Sequence, residues 1–210
     1  MMDWLYDSVG RIHGRLVHSR RVEVLAAQFA ELIGHGHSVL DVGCGDGLID
    51  RLVLDRRADL RICGLDPLVR PDARIRVMPF DGRRIPFPDR SWDTVLFCDV
   101  LHHTECPVDL LQEAVRVVRH TVVIKDHCVL GVLARSTLRF MDMIGNVPHG
   151  VALTYNYFTP GQWEDAWRTT GLVPRDVRRA LGLYPKWADP LVGRSLHFVA
   201  VCDVLRDFPS

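Results

Sequence analysis

The chain has 210 residues, 48% hydrophobic and 25% charged, a balance that supports one packed core and excludes a disordered chain. Lys plus Arg and Asp plus Glu both number 26, so the formal net charge is zero. No long-range field draws such a chain to a phosphate backbone or an anionic membrane, and neither nucleic acid nor membrane is expected as a partner.

Six cysteines (Cys44, Cys63, Cys98, Cys106, Cys128 and Cys202) are scattered without a CxxC pair. Several sit in apolar runs, where a thiol behaves as a small hydrophobe, and this points to a reducing, cytoplasmic setting. The first 21 residues lack the apolar core of a secretion signal, and no apolar run approaches a bilayer span. No repeat, low-complexity run or linker divides the sequence, so a single domain over 1–210 is expected.

In chain order, residues 1–34 predict helices, with Leu16, Leu25, Phe29 and Leu32 recurring at helical spacings and breaks near Gly10 or Gly14. SVLDV reads as a buried parallel strand, DGLIDRLVLDRR as a helix, LRICGLD as a second strand and ARIRVM as a short third. WDTVLFCDV is a fourth strand, PVDLLQEAVRVVR an amphipathic helix opened by Pro107, and HTVVIKDH a fifth strand. CVLGVLARSTLRFMDMIGN reads as helical up to Gly145. VPHGVALTYNYFTP is irregular, GQWEDAWRTTG is a helix ended by Gly171, and LVPRDVRRALG and SLHFVAVCDVL are two more strands. Strands alternating with helices predict an α/β fold: a Rossmann-like, doubly wound, seven-stranded, mostly parallel sheet with the last strand antiparallel.

The chemistry concentrates at predicted strand ends. VLDVGCGDG, Val39 to Gly47, delivers Asp41 to a carboxyl end, and its glycines make a turn whose backbone can press on a ligand at a helix N-terminus. Asp66 in GLDP ends the second strand, where an acid accepts hydrogen bonds from ribose hydroxyls. Asp81 in PFDGR follows the third, within reach of an exocyclic amine. The ordered series VLDVGCGDG, GLDP, MPFDGRRIPFPDRSWDTVLFCDVLHH and LLQEAVRVV resembles class I methyltransferases, in particular the small-molecule branch with the ubiquinone and menaquinone enzymes. Trp92 stands where that family usually has Phe.

The resemblance implies S-adenosylmethionine as cofactor. It places Asp41, Gly43, Cys44 and Gly45 at the methionine end, Asp66 on the ribose, and Pro67, Asp81 and Gly82 at the adenine. Asp99, Val100 and His102 would close the pocket beneath the sulfonium. It further implies methyl transfer to an O, N or C atom of a small acceptor, with the segment 128–160 as a lid. The alternative is a cofactor-binding protein that no longer methylates, or that catalyses a cyclisation or rearrangement.

A base is needed only if the acceptor loses a proton, and histidine suits that task near neutral pH. His127, oriented by Asp126, leads the catalytic candidates, with His103 beside it. Tyr6, Asn146, His149 and Tyr155 are expected to contact the acceptor. His102, His103, Asp126, His127, Asp142 and His149 are rich in metal-ligating types, but their spacing matches no ligand motif, and adjacent histidines on a strand would point apart, so no metal is expected. DVLHH replaces the NPPY-type motif of a nucleic-acid or protein amide methylase. A homodimer is the one macromolecular association left open.

Overall fold

The computed structural model describes residues 18–146, 154–185, 193 and 196–205. Helix α1 covers 18–32 and leads into β1 (Ser38–Val42), α2 (Leu48–Arg56), β2 (Arg61–Asp66), β3 (Val77–Pro79) and β4 (Trp92–Cys98). A 3-10 turn, η1 (Leu101–His103), precedes α3 (Pro107–Val117), and β5 (Val118–His127) follows without a loop. Then come α4 (Ala134–Asn146), α5 (Pro160–Thr170), β6 (Leu172–Arg178) and β7 (His197–Val204).

The strands form one sheet in the order β3-β2-β1-β4-β5-β7-β6. β7 runs antiparallel to both β5 and β6, and the other neighbouring pairs are parallel. The expected α/β sheet, its seven strands and its single reversed strand are all present. The order turns back between β1 and β4, so their carboxyl ends splay apart there and leave the crevice where open α/β sheets bind ligands.

Strand period decides which side chains meet which helices. Leu40 and Val42 of β1, with Val95 and Phe97 of β4 and Val122 and Ile124 of β5, pack with Leu110, Leu111 and Ala114 of α3 and Trp163 and Ala166 of α5. Val39, Leu96 and Val123 face the opposite layer, against Leu25, Ala26 and Phe29 of α1 and Val53 of α2. Asp41 follows Val39 by two and so belongs on the α2 side.

Local signals end the helices where the sequence puts them. Pro107 opens α3, Thr159 and Gln162 form a reciprocal capping box on α5, and Gly171 closes α5 in the left-handed conformation. Two expectations change. The third strand is shorter than ARIRVM, and residues 128–133 are not helical: the Cys128 and Val129 amides bond to the carbonyls of Leu196 and Phe158, which belong to distant segments. Left-handed backbone at Gly131 (φ 87) and Leu133 (φ 67) then rules out a helix through the run. Among the described residues no helix is long and apolar enough to cross a membrane, and all six cysteines are free thiols.

Candidate active site

The glycine loop between β1 and α2 is held to the end of β2. The Gly43 and Cys44 amides both donate to the Leu65 carbonyl, at 2.7 and 3.2 Å, and the Gly45 amide donates to Asp66 Oδ2 at 2.8 Å. Asp66 Oδ1 accepts from the Leu68 amide, so the carboxylate is fixed while each oxygen keeps a further lone pair. Gly43 and Gly45 both take positive φ. A Cβ on Gly43 would run into Val100 at 2.4 Å, whereas one on Gly45 would meet nothing within 4 Å. The loop is therefore packed from beneath by Val100 and open above Gly45.

Asp41 is buried, and one of its oxygens, Oδ1, has no hydrogen-bond partner. Asp50, on the inner face of α2, lies against it and is equally buried. Burial and then the neighbouring Asp50 push Asp41 well above the carboxylate range. Burial pushes Asp50 up to about 7. The simplest arrangement is a shared proton between the two carboxyls. Sequence reading missed Asp50; its only mark is an acid on the apolar side of a short helix.

Further from the turn, Asp81 is exposed and its carboxylate caps the Arg83 and Arg84 amides at 2.8 Å each. Pro67 is exposed, and Gly82, with positive φ, approaches it. These three thus lie beyond β2 and β3, with both Asp81 and Pro67 at the surface.

On the other side of the switch point a buried polar cluster joins β4, η1, β5 and β7. Asp99, left-handed at φ 59, accepts from Arg21 of α1 and from Lys125 of β5. Burial opposes its charge, but Arg21 and Lys125 outweigh that and hold the carboxyl well below the usual range. Lys125 is fully buried and also reaches His197 Nδ1 at 3.4 Å; Tyr184 meets the other ring nitrogen of His197 at 3.2 Å. Arg21, His197 and Tyr184 had no sequence motif to announce them.

The histidines sort by environment. His102 Nδ1 lies 2.6 Å from Asp126 Oδ1, and Nε2 lies 3.4 Å from Asp142 Oδ2. Burial would lower His102, but Asp126 and Asp142 overcome it and raise it to about 10. Asp126 is fixed by the Leu101 and His127 amides, at 3.0 and 2.7 Å. His127 packs edge-on against His102 at 4.4 Å, and burial together with the charges on His102 and Lys125 lowers it to about 4. His103 is half-buried and also shifted down, by burial and then by His102. The adjacent pair does not point apart: it lies on the 3-10 turn, not on a strand, and its rings are 4.0 Å centre to centre.

Residues 154–156 bond to this turn. Thr154 Oγ1 and the Asn156 amide donate to the His102 carbonyl, and Asn156 Nδ2 donates to the Thr104 carbonyl at 2.6 Å. Tyr157 is buried and donates to Asp142, and Tyr155, half-buried at φ 56, faces Arg139. Of the expected acceptor contacts, Tyr155 alone is placed beside the cluster. Tyr6 and His149 lie outside the described residues, as does the side chain of Asn146, whose backbone ends α4.

Asp99, His102, Asp126 and His127 each bring a ligating atom within 4.8 Å of the others, and His102, His103 and Asp142 form a second such group.

A mostly parallel sheet with an anchored glycine loop and a strand-end acid at its switch point defines a Rossmann-like α/β protein, a class that binds ligands at this crevice. Residues 40–124 match a model described as a methyltransferase domain. No curated protein matches the chain. A chain of the complex between the Haloferax volcanii Trm112 methyltransferase activator and a methyltransferase superposes with a TM-score of 0.66 at 16% identity, covering 96% of this chain and 96% of that one. Geranyl diphosphate C-methyltransferase from Streptomyces coelicolor A3(2), solved with Mg2+, geranyl-S-thiolodiphosphate and S-adenosyl-L-homocysteine, gives 0.64 at 14% identity over 86% of this chain and 75% of that one. The [4+2]-cyclase SpnF gives 0.60 at 16% identity, over 87% and 80%. Residues 40–124 thus resemble a methyltransferase domain, and the sheet has the fold seen in methyltransferases of known structure.

The residues present fit the cofactor of that class. S-adenosylmethionine offers an ammonium group and ribose hydroxyls as donors; the crevice offers the unpaired Asp41 Oδ1, the anchored Asp66 carboxylate and open space above Gly45.

Proposed function

We propose that this protein transfers a methyl group from S-adenosylmethionine to an oxygen, nitrogen or carbon atom of a small organic acceptor. The observation that carries the reading is the anchored loop: Asp66 bound to the Gly45 amide beside the buried, unpaired Asp41 oxygen at the switch point. Asp66 would hold the ribose, and Asp41 with the open space above Gly45 the methionine end. Asp81, Gly82 and Pro67 would border the adenine. When bound, the cofactor supplies an electrophilic methyl on sulfur.

Displacement at such a methyl is in-line, so the protein contributes mainly by alignment and by excluding water. Asp99, pinned by Arg21 and Lys125, and Val100 beneath Gly43 fix the floor on which an acceptor is presented. Among the catalytic candidates, His103 is the more exposed and is the one we assign to take a proton from the acceptor; Asp126 and His127 lie beneath it and hold η1 in place. We assign the cover to the expected lid segment 128–160, whose described part places Tyr155 against Arg139 and Tyr157. A zero net charge supports a small acceptor over a polyanion, and geranyl diphosphate, the acceptor named for one structural neighbour, is itself a small molecule.

Calorimetric titration with S-adenosylmethionine and with S-adenosylhomocysteine tests this directly. Dissociation constants of about micromolar, weakened by more than tenfold in Asp66→Ala, are expected. Absence of binding to both ligands would overturn the reading. Binding without transfer of labelled methyl to any member of a broad acceptor panel would instead favour a non-methylating catalyst, the kind of protein represented among the neighbours by SpnF.

A further inference from the structure

We propose that His102, His127 and Asp126, with Asp99 at the fourth corner, form a binding site for one divalent transition-metal ion at the carboxyl ends of β4 and β5. The site shares no residue with the glycine loop, though it borders the proposed acceptor floor through Asp99, and metal binding there is testable without methyl transfer.

The donor geometry comes first. Imidazole nitrogen and carboxylate oxygen bind Zn2+ at about 2.0–2.2 Å, which in a tetrahedron separates donor atoms by about 3.3–3.6 Å. His127 Nδ1 lies 3.3 Å from His102 Nδ1, 3.4 Å from Asp126 Oδ1 and 3.6 Å from Asp99 Oδ1. One edge is shorter, the 2.6 Å hydrogen bond between His102 Nδ1 and Asp126. A metal ion replaces the proton in that bond and opens the edge by less than about 1 Å.

The surroundings are those of a ligating histidine. A metal-bound imidazole usually donates its other N–H to a carboxylate, which fixes the tautomer. His102 Nε2 is buried and unpaired but lies 3.4 Å from Asp142 Oδ2, and Asp142 is itself fixed by Tyr157. His102 can therefore turn Nδ1 to a metal while Nε2–H faces Asp142.

Charge leaves room for the ion. Around the two imidazoles stand two cations, Arg21 and Lys125, and three carboxylates, Asp99, Asp126 and Asp142. Lys125 binds the same Asp99 oxygen and competes for that corner, so Asp99 is the weakest of the four donors. Two imidazoles and a carboxylate favour Zn2+, Co2+, Ni2+ or Fe2+ over Mg2+ and Ca2+.

The test uses chelator-stripped, cofactor-free full-length protein, so its outcome does not depend on methyl transfer. After loading with CoCl2 or ZnCl2 and gel filtration, about one metal per chain is expected. Bound Co2+ should show the intense visible absorption of a low-coordinate N/O site, and a large excess of Mg2+ should fail to displace it. His127→Gln and Asp126→Asn should each weaken Co2+ binding by more than tenfold, and Asp142→Asn by about 10- to 100-fold. Wild-type protein that retains no metal overturns the proposal, whatever the variants do. So does metal retained undiminished in folded His127→Gln, which would place the ion on surface histidines such as His35 and His120.

Discussion

Asp50 is an acid placed where the fold favours its protonated form. Burial raises it to about 7, against about 3.9 for the unfolded chain. Between those values the unfolded chain releases the proton and the folded chain keeps it, so this contribution is complete below pH 4 and declines as pH rises through about 7. Asp50→Asn cannot titrate. In cofactor-free protein its melting temperature relative to wild type should climb from pH 5 to pH 8. A difference that stays flat across that range would exclude the shared proton. His103 poses a separate question of chemistry. If it accepts the acceptor's proton, His103→Gln should lower kcat by about 10²- to 10⁴-fold while S-adenosylmethionine affinity, read by calorimetry, changes little. Loss of both together would reduce it to packing. The residues of the glycine series were legible because each is a chemical type at a fixed spacing. Asp50, Arg21 and His197 were not, because what matters about them is which distant group they face.

The turn from β1 to α2 shows how one element divides two tasks between two glycines. At Gly43 the chain needs both φ 82 and the absence of a Cβ, since Val100 stands 2.4 Å from where it would be. At Gly45 only the left-handed φ is demanded, for the space beyond is open. Gly45→Ala should therefore cost stability only about 1–2 kcal/mol yet weaken S-adenosylmethionine binding, because its methyl projects into the crevice. Gly43→Ala should cost more stability than Gly45→Ala in thermal melts. On α5 the capping box predicts that Thr159→Ala lowers stability by about 1 kcal/mol without altering cofactor affinity. Helix ends such as Pro107, Thr159 and Gly171 were readable because capping is decided within four residues. The apolar run 128–133 was misread as helix for the converse reason: its amides are claimed by the carbonyls of Leu196 and Phe158.

At the scale of the molecule, the buried cluster ties three parts of the chain to one another. Arg21 comes from α1, Asp99 from the end of β4, and Lys125 from β5, whose in-register partner strand β7 brings His197 opposite His127. α1 is seated by Leu25, Ala26 and Phe29, each fully buried, and Arg21 adds the polar link. Arg21→Ala removes one of the two cations that bond Asp99. Since the Arg21 side chain is 31% exposed, the loss should be about 2 kcal/mol, short of the 3–5 kcal/mol of a fully buried pair. Hydrogen exchange should rise first in 18–32, and uniform exchange across the sheet would count against the tether. The edge strand β6 carries Arg175 and Arg178 among half-exposed apolar residues, a pattern that discourages edge-to-edge pairing. By itself the sequence determined the α/β class, the seven strands, the reversed last strand and the acids that end β1 and β2, since all depend on local period and short motifs. Only the tertiary structure decided which histidine is charged, which is half-exposed, and that Asp41 has a carboxyl partner. Those outcomes depend on desolvation and on charges brought from far along the chain, and no local pattern encodes either.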